Sequence, residues 1–145
     1  LTLLLVMDSY VELYKGGIVP LADFVNMPYD RDILVRIIVK KTAAHYSYKS
    51  VRISKTDFPV LTCAAALTQE GVQAAVGARP AKAALVKDAE QLATLPMTGE
   101  KAQAFAEYAA GLLPTETNPR GSAAYRTHLI KVLTARCLKE LGGKA

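Results

Sequence analysis

The strongest constraint on the fold lies near the end of the chain, where residues 118–126 read Asn-Pro-Arg-Gly-Ser-Ala-Ala-Tyr-Arg and lead into a long periodic segment. Pro-Arg-Gly is typical of a turn, and the Ser122 side chain can accept a hydrogen bond from a free N–H of a first helical turn. The sequence therefore predicts a helix from Ser122 to about Leu141. At about 100° per residue, the apolar side chains of this segment share one broad face. They are Leu129, Ile130, Leu133, Cys137 and Leu141.

One charged residue, Arg126, falls within this apolar face, one turn inside the predicted helix. A guanidinium in such a position normally needs a carboxylate or a set of carbonyls as its partner. In the alternative interpretation, Arg126 extends over the edge of the core and keeps its charge in water. The sequence leaves both interpretations open.

The first part of the chain has the patterns of strands. Residues 1–7 and 10–14 predict two strands ahead of a Gly-Gly loop, and residues 20–25 have the spacing of one short helical turn. Residues 33–39 are apolar and β-branched except for Arg36, which predicts a strand with at least one well-buried face. An extended, partly exposed segment is expected over residues 43–55.

The second part of the chain changes from strand to helix patterns. Residues 59–68 and 72–76 predict a β-hairpin, whereas residues 87–95 and 99–113 have apolar side chains at helical spacing. Strands followed by helices predict the α+β class. We expect an antiparallel β-sheet covered on one face by a three-helix layer.

The composition suits a globular chain. With 145 residues, of which 51% are hydrophobic, the chain is long enough for one core, or for one domain with part of another attached. Its longest apolar runs, residues 3–7 and 63–67, are far shorter than the roughly 18 residues that span a bilayer, so no transmembrane segment is predicted. The chain begins with an apolar run that lacks the features of a secretory signal. We expect it to be a fragment or a processed piece.

The residues that usually carry chemistry are scattered. Cys63 and Cys137 belong to no CxxC motif, and with His45 and His128 they form no cluster with metal-ligand spacing. Cys63 and Cys137 are predicted to be buried thiols in a reducing compartment, and no metal site is predicted. The sequence contains no GxGxxG, GxxxxGK[ST] or GxSxG motif, so no catalytic residue is assigned.

The net charge of +5 is dispersed, and its densest part is residues 40–55, where basic side chains alternate with tyrosines. Lys49 and Arg52 are the best candidates there for contact with an anionic or phosphate-bearing partner. A solvated surface lysine is the alternative for Lys49. No DNA- or RNA-binding motif accompanies these residues, so nucleic-acid binding is the least favoured function.

Three motifs, taken in order, resemble a known family. They are Asp32-Ile33-Leu34, then Tyr46 and Tyr48 ahead of Lys49, Arg52 and Asp57, and finally Arg120-Gly121-Ser122-Ala123-Ala124-Tyr125-Arg126. This order resembles the C-terminal part of the FAD-binding (medium) subunit of the molybdenum hydroxylases, the xanthine dehydrogenase and carbon monoxide dehydrogenase family. The seven-residue motif is similar to that of the bacterial members.

The resemblance implies two domains. Residues 1–40 would be the C-terminal tail of the second, α/β FAD-binding lobe, and residues 41–145 a CO dehydrogenase flavoprotein-like C-terminal domain. Leu34 would lie beside the isoalloxazine and Lys49 at the edge of the FAD. Because the family's main phosphate-binding glycine loops lie upstream of Leu1, the isolated chain is expected to be inactive alone. Five residues would have a structural part: Arg120, Gly121, Ser122, Tyr125 and Arg126.

The resemblance also implies cofactors and partners. In this family electrons pass from a molybdopterin-binding subunit through a 2Fe-2S subunit to FAD, which hands them to an acceptor. We therefore expect a cytoplasmic oxidoreductase subunit with those two partners, no nucleic acid and no membrane; a homodimer is possible. The alternative is a non-enzymatic module for subunit docking or dimerisation, with no flavin contact of its own.

Overall fold

The computed structural model describes residues 1–29 and 31–143, and its first elements form a small three-stranded sheet. The central strand of this antiparallel sheet is β1, in the order β2-β1-β3. Val11 and Leu13 of β1 are buried under two short helices. The elements are α1 (Thr2–Leu5), β1 (Ser9–Leu13), β2 (Gly17–Pro20), α2 (Leu21–Phe24) and β3 (Leu34–Val39).

A second antiparallel sheet follows, with the order β4-β5-β6-β7. Its central strands are rich in alanine because both of their faces are buried. Ala64 and Ala75 face the cluster of apolar residues around α1 and β1, whereas Ala65 and Ala74 face the opposite side. The strands are β4 (His45–Val51), β5 (Leu61–Thr68), β6 (Gly71–Gly77) and β7 (Ala84–Lys87).

Two long helices, α3 (Gly99–Leu112) and α4 (Ala123–Gly142), cover that opposite side of the second sheet. Phe105 of α3 and Ile130 of α4 are fully buried in the main core, as the helical spacing predicted. The α+β class, the β5–β6 hairpin and both long helices are thus confirmed. None of the described helices is long and apolar enough to cross a membrane.

Two predicted elements are wrong. Residues 1–7 begin with a short helix rather than a strand, and residues 87–95 form the end of β7 and a series of turns, so two long helices rather than three cover the sheet. In the first case, a short apolar run does not distinguish a buried helix from a strand. In the second, the Asp88 carboxylate accepts hydrogen bonds from the N–H groups of Leu92 (2.9 Å) and Ala93 (2.7 Å), which stabilises a turn.

Strand β3 forms as predicted, but its expected burial is wrong. Leu34 and Ile37 lie opposite the buried Leu13 and Val11 and so share their face of the sheet. Nevertheless, Leu34 is 43% exposed and Ile37 is 48% exposed. β3 is an edge strand. Among the described residues, the side chains that cover β1 do not extend over β3.

Candidate functional site

The motif at residues 120–126 forms the entry to α4. The Ser122 side chain accepts a hydrogen bond from the Tyr125 N–H (3.2 Å), which confirms the predicted helix cap. Just before it, Asn118 and Gly121 exchange two backbone hydrogen bonds and close a tight turn. Thr117 accepts a further hydrogen bond from the Ala123 N–H (2.9 Å). The loop and the first helical turn are therefore joined at several points.

Arg126 is 1% exposed and binds a set of oxygens. Its guanidinium donates to the carbonyls of Val60 (3.1 Å), Glu116 (2.6 Å) and Gly121 (2.5 Å), and to the Asn118 side-chain oxygen (2.5 Å). The structure thus decides between the two interpretations of this arginine: it is buried among carbonyls and does not extend into water. Desolvation, together with the charge of Arg120, lowers the pKa of the Arg126 guanidinium.

The other motif residues surround this guanidinium. A Cβ atom on Gly121 would lie 3.1 Å from the Val60 side chain and 3.9 Å from the Arg126 guanidinium carbon, so a glycine suits this position. Arg120 points outward instead: its guanidinium carbon lies 5.2 Å from the Phe58 ring centre, and its Nε lies 3.9 Å from the Asp57 carboxylate. The motif therefore contains one buried arginine and one surface arginine.

Lys49, the predicted cofactor contact, lies on the side of β4 that faces α4. Its Nζ is 2.8 Å from the Glu140 carboxylate, and the Ser47 hydroxyl donates to the same oxygen (2.9 Å). The hydrogen bond with Glu140 raises the pKa of Lys49, while desolvation acts in the opposite direction. The ion pair with Glu140 therefore holds the Lys49 ammonium in place, while 32% of the lysine side chain remains exposed to solvent.

Two thiols lie beside Lys49, and sequence reasoning did not connect them to it. Cys63 is directly opposite Lys49 on β5, its sulfur lies 3.4 Å from the Thr134 hydroxyl on α4, and Cys137 is one turn before Glu140 on the same helix. Both cysteines are fully buried, as predicted for free thiols. Cys63 and Cys137 are 74 positions apart and Lys49 and Glu140 are 91 apart, so no local sequence signal could have brought them together.

Leu34, the second predicted cofactor contact, lies in the other sheet, where it pairs with Leu13. The start of its strand is fixed by Asp32, whose carboxylate accepts the N–H groups of Lys15, Gly16 and Ile33 at 2.8 to 3.1 Å. Although desolvation opposes it, these backbone hydrogen bonds lower the pKa of Asp32. No direct contact between Leu34 and Lys49 is found in the described part of the chain.

A cavity of about 650 Å³ lies elsewhere, between the two sheets. Tyr10, Lys40 and Tyr46 line it, and the Lys40 ammonium is bound to the Tyr10 hydroxyl (2.8 Å) and lies 3.5 Å from Asp8. Neither predicted cofactor contact lines this cavity. Over residues 1–29 and 31–143 there is also no group of three or more His, Cys, Asp or Glu side chains placed to hold a metal ion.

Solved structures share this fold. Quinoline 2-oxidoreductase from Pseudomonas putida 86 matches with a TM-score of 0.78 and 21% identity, over 99% of this chain and 55% of that one. Carbon monoxide dehydrogenase from Hydrogenophaga pseudoflava matches with a TM-score of 0.81 and 18% identity. The reconstituted carbon monoxide dehydrogenase from Oligotropha carboxidovorans matches with a TM-score of 0.73 and 19% identity. Each of these two matches covers 99% of this chain and 56% of the solved chain. The chain therefore spans little more than half the length of the solved chains that it matches.

Two sequence comparisons, one with curated proteins and one with family models, bear on the family of this chain. A search of curated proteins found no match. The family model of the CO dehydrogenase flavoprotein C-terminal domain matches residues 46–141, a range that contains Lys49 and the whole motif at residues 120–126 but not Leu34. The match confirms the resemblance inferred from those two motifs. The chain belongs to the CO dehydrogenase flavoprotein C-terminal domain family.

Proposed function

We propose that this chain is part of the FAD-binding subunit of a molybdenum hydroxylase and helps to hold an FAD that takes electrons from 2Fe-2S clusters and passes them to an acceptor. The observation that carries the proposal is Lys49: it lies within the family match, donates to the Glu140 carboxylate, which also accepts the Ser47 hydroxyl, and remains one-third exposed. When bound, the flavin supplies the redox chemistry, whereas the protein supplies orientation and charge.

The chemistry of the available side chains fits the ring end of FAD. Leu34 offers an exposed apolar surface for a flat ring, and Lys49 offers a positive charge, which favours an anionic reduced flavin. The phosphate end fits less well at the Gly16-Gly17 turn, because Asp32 already accepts the N–H of Gly16. We therefore propose that the phosphates are held by other residues of the complete subunit and that residues 1–145 alone bind FAD weakly or not at all.

The rest of the assembly follows from the same proposal. We assign residues 1–40 to the tail of the second FAD-binding lobe and residues 41–145 to the C-terminal domain, since β3 ends the first sheet at Val39 and β4 begins the second at His45. A molybdopterin-binding subunit and a 2Fe-2S subunit are the proposed partners, in the cytoplasm of a bacterium. The substrate of the molybdenum site would be chosen outside this chain.

The test uses the complete flavin subunit with Lys49→Met. Removing a cation near the flavin is expected to weaken FAD binding and to lower its midpoint potential; a loss of about 1.4 kcal/mol would equal about 30 mV for a two-electron couple. Lys55→Met, at an exposed lysine of the loop after β4, serves as the control and should change neither quantity. If Lys49→Met leaves both affinity and potential unchanged, Lys49 has no contact with the flavin.

One observation favours a second function, a docking or dimerisation module without flavin contact. The apolar residues of β3 are largely exposed: besides Leu34 and Ile37, Val35 is 53% and Val39 is 40% exposed. An apolar strand of this kind marks a surface that another chain or segment covers. A complete subunit that is colourless yet assembles with its partner subunits would support this function over flavin binding.

A further inference from the structure

One carboxylate oxygen joins strand β4 to helix α4. Oε2 of Glu140 accepts a hydrogen bond from the Ser47 hydroxyl (2.9 Å) and another from the Lys49 ammonium (2.8 Å). Ser47 and Lys49 are alternate residues of β4, so both side chains point to the same side of the sheet, toward α4. Two donors from one strand therefore meet a single acceptor on the helix. We call Ser47, Lys49 and Glu140 the β4–α4 carboxylate cluster.

Glu140 is the anchored member of this cluster. Its helix neighbours Leu138 and Leu141 are fully buried in the main core, so the backbone at Glu140 cannot shift without disturbing that packing. The Ser47 hydroxyl, on a residue that is only 4% exposed, holds the carboxylate from the inside. Lys49, by contrast, carries its ammonium on a flexible four-carbon stem. The carboxylate therefore determines where the ammonium lies.

The carboxylate has two effects on Lys49 that can be separated. Its hydrogen bond raises the pKa of Lys49, so the ammonium keeps its positive charge, and it limits the positions that the ammonium samples. Its own negative charge acts against that of the ammonium on any neighbouring group, because the fields of two charges add. A substitution that removes the charge but keeps an acceptor oxygen distinguishes the two effects.

We propose that Glu140 and Ser47 are positioning residues for Lys49: Ser47 holds the carboxylate, and the carboxylate holds the ammonium in the position from which it contacts the flavin. This inference rests on the proposed function, since it takes Lys49 as the flavin contact. A cation that is already held in place loses less conformational freedom when FAD binds, so the cluster strengthens FAD binding. It also keeps the positive charge where it favours an anionic reduced flavin.

Two variants of Glu140 in the complete flavin subunit test the hold on the ammonium. Glu140→Gln and Glu140→Ala remove the same charge, but only glutamine keeps an oxygen that can accept a hydrogen bond from Lys49. We expect FAD to bind several-fold more weakly to Glu140→Ala than to Glu140→Gln, and its midpoint potential to be lower in Glu140→Ala. In a Lys49→Met background, where there is no ammonium to hold, the two variants should have equal affinities and potentials.

Ser47→Ala in the complete subunit tests the hold on the carboxylate without changing any charge. We expect a weaker FAD affinity and a lower midpoint potential than in the unaltered subunit, with each shift smaller than in Lys49→Met. Ser50→Ala is the matched control, because Ser50 lies on the opposite side of β4, and it should change neither quantity. A Ser47→Ala subunit with the affinity and potential of the unaltered one would remove Ser47 from the proposal.

A measurement without flavin tests the cluster itself in the 145-residue chain. A limiting amount of acetic anhydride acetylates each lysine according to its fraction of neutral amine, and mass spectrometry compares Lys49 with the exposed Lys55 in one digest. Relative to Lys55, Lys49 should react several-fold faster in Glu140→Ala than in the unaltered chain, because the loss of the hydrogen bond lowers its pKa. Equal rates in the two chains would refute the hold on the ammonium.

The flavin measurements separate this inference from the proposed function. If Lys49→Met changes FAD affinity or potential while Glu140→Gln and Glu140→Ala behave alike, the flavin contact stands and the positioning role is refuted. If Lys49→Met changes neither quantity, the flavin contact itself is wrong, and the positioning role toward the flavin is overturned with it.

Discussion

Replacing Arg126 with methionine should destabilise the fold more than any surface substitution in the same motif. The guanidinium supplies the hydrogen bonds of four oxygens. Two of these oxygens have a second donor: the Gly121 carbonyl accepts the Asn118 N–H, and the Asn118 side-chain oxygen accepts the Arg120 N–H. Methionine would therefore leave the other two acceptors, the carbonyls of Val60 and Glu116, without a donor among the described residues. Val60 is buried, and an orphaned buried acceptor costs about 1–3 kcal/mol, whereas Glu116 is an exposed residue, so water can replace the guanidinium at its carbonyl.

The net effect is smaller than the sum of these losses. Methionine fills much of the same volume and removes the cost of desolvating a charge, which offsets part of the loss. We expect a decrease of about 2 kcal/mol in the free energy of unfolding. For a chain of this size, each 1 kcal/mol corresponds to about 2–4 °C, so the melting temperature should fall by roughly 4–8 °C.

Urea and thermal unfolding followed by circular dichroism would measure this difference. The matched control is Arg120→Met in the same motif, since Arg120 is partly exposed and makes a 3.9 Å ion pair; it should cost less than about 1 kcal/mol. Arg126→Lys should lie between the two, because an ammonium reaches fewer of the carbonyls than a planar guanidinium. A loss below about 1 kcal/mol for Arg126→Met would refute the assignment of Arg126 as the link between loop, strand and helix.

Further predictions concern three other contacts. Gly121→Ala should cost about 1 kcal/mol or more in urea unfolding, because the new Cβ meets the buried Val60 side chain at 3.1 Å; a neutral effect would show that the loop yields. In a double-mutant cycle of Lys49→Met and Glu140→Gln, the two stability losses should not add; additive losses would mean that the ion pair contributes nothing. Asp32→Asn should make the free energy of unfolding depend less on pH in the acid range. Because the pKa of Asp32 is lowered in the folded state, its contribution to the free energy of unfolding is fully present above its unfolded-state pKa of about 3.9. This contribution is lost as the pH falls through the folded-state pKa. An unchanged acid limb of pH-dependent unfolding curves would contradict this role.

The features that the sequence predicted correctly depend on neighbours along the chain. The Ser122 cap, the periodicity of α4 and the β5–β6 hairpin are local patterns, and each is found in the structure. The features that it missed depend on distant residues. Neither the turn that Asp88 stabilises nor the helical state of residues 2–5 follows from periodicity, because a short apolar run takes its conformation from what it packs against.

The candidate site shows the same limit. Arg126 was recognised as an anomaly, yet its acceptors are backbone carbonyls, which are present in every residue and leave no sequence signal. Lys49 was identified from its motif, but its ion pair with Glu140 spans 91 positions. The exposure of β3 could not be foreseen, since a strand of apolar residues predicts burial whether or not another element is there to cover it.

The alanine-rich strands β5 and β6 have a consequence for how the molecule unfolds. Their alternate side chains belong to two separate apolar clusters, with Ala64 and Ala75 in one and Ala65 and Ala74 in the other. The strand pair is thus shared by both clusters, and the loss of packing in either cluster exposes one face of the strand pair to water. The helical layer and the small N-terminal sheet are therefore energetically coupled through the two faces of this strand pair, and we expect them to unfold as one cooperative unit.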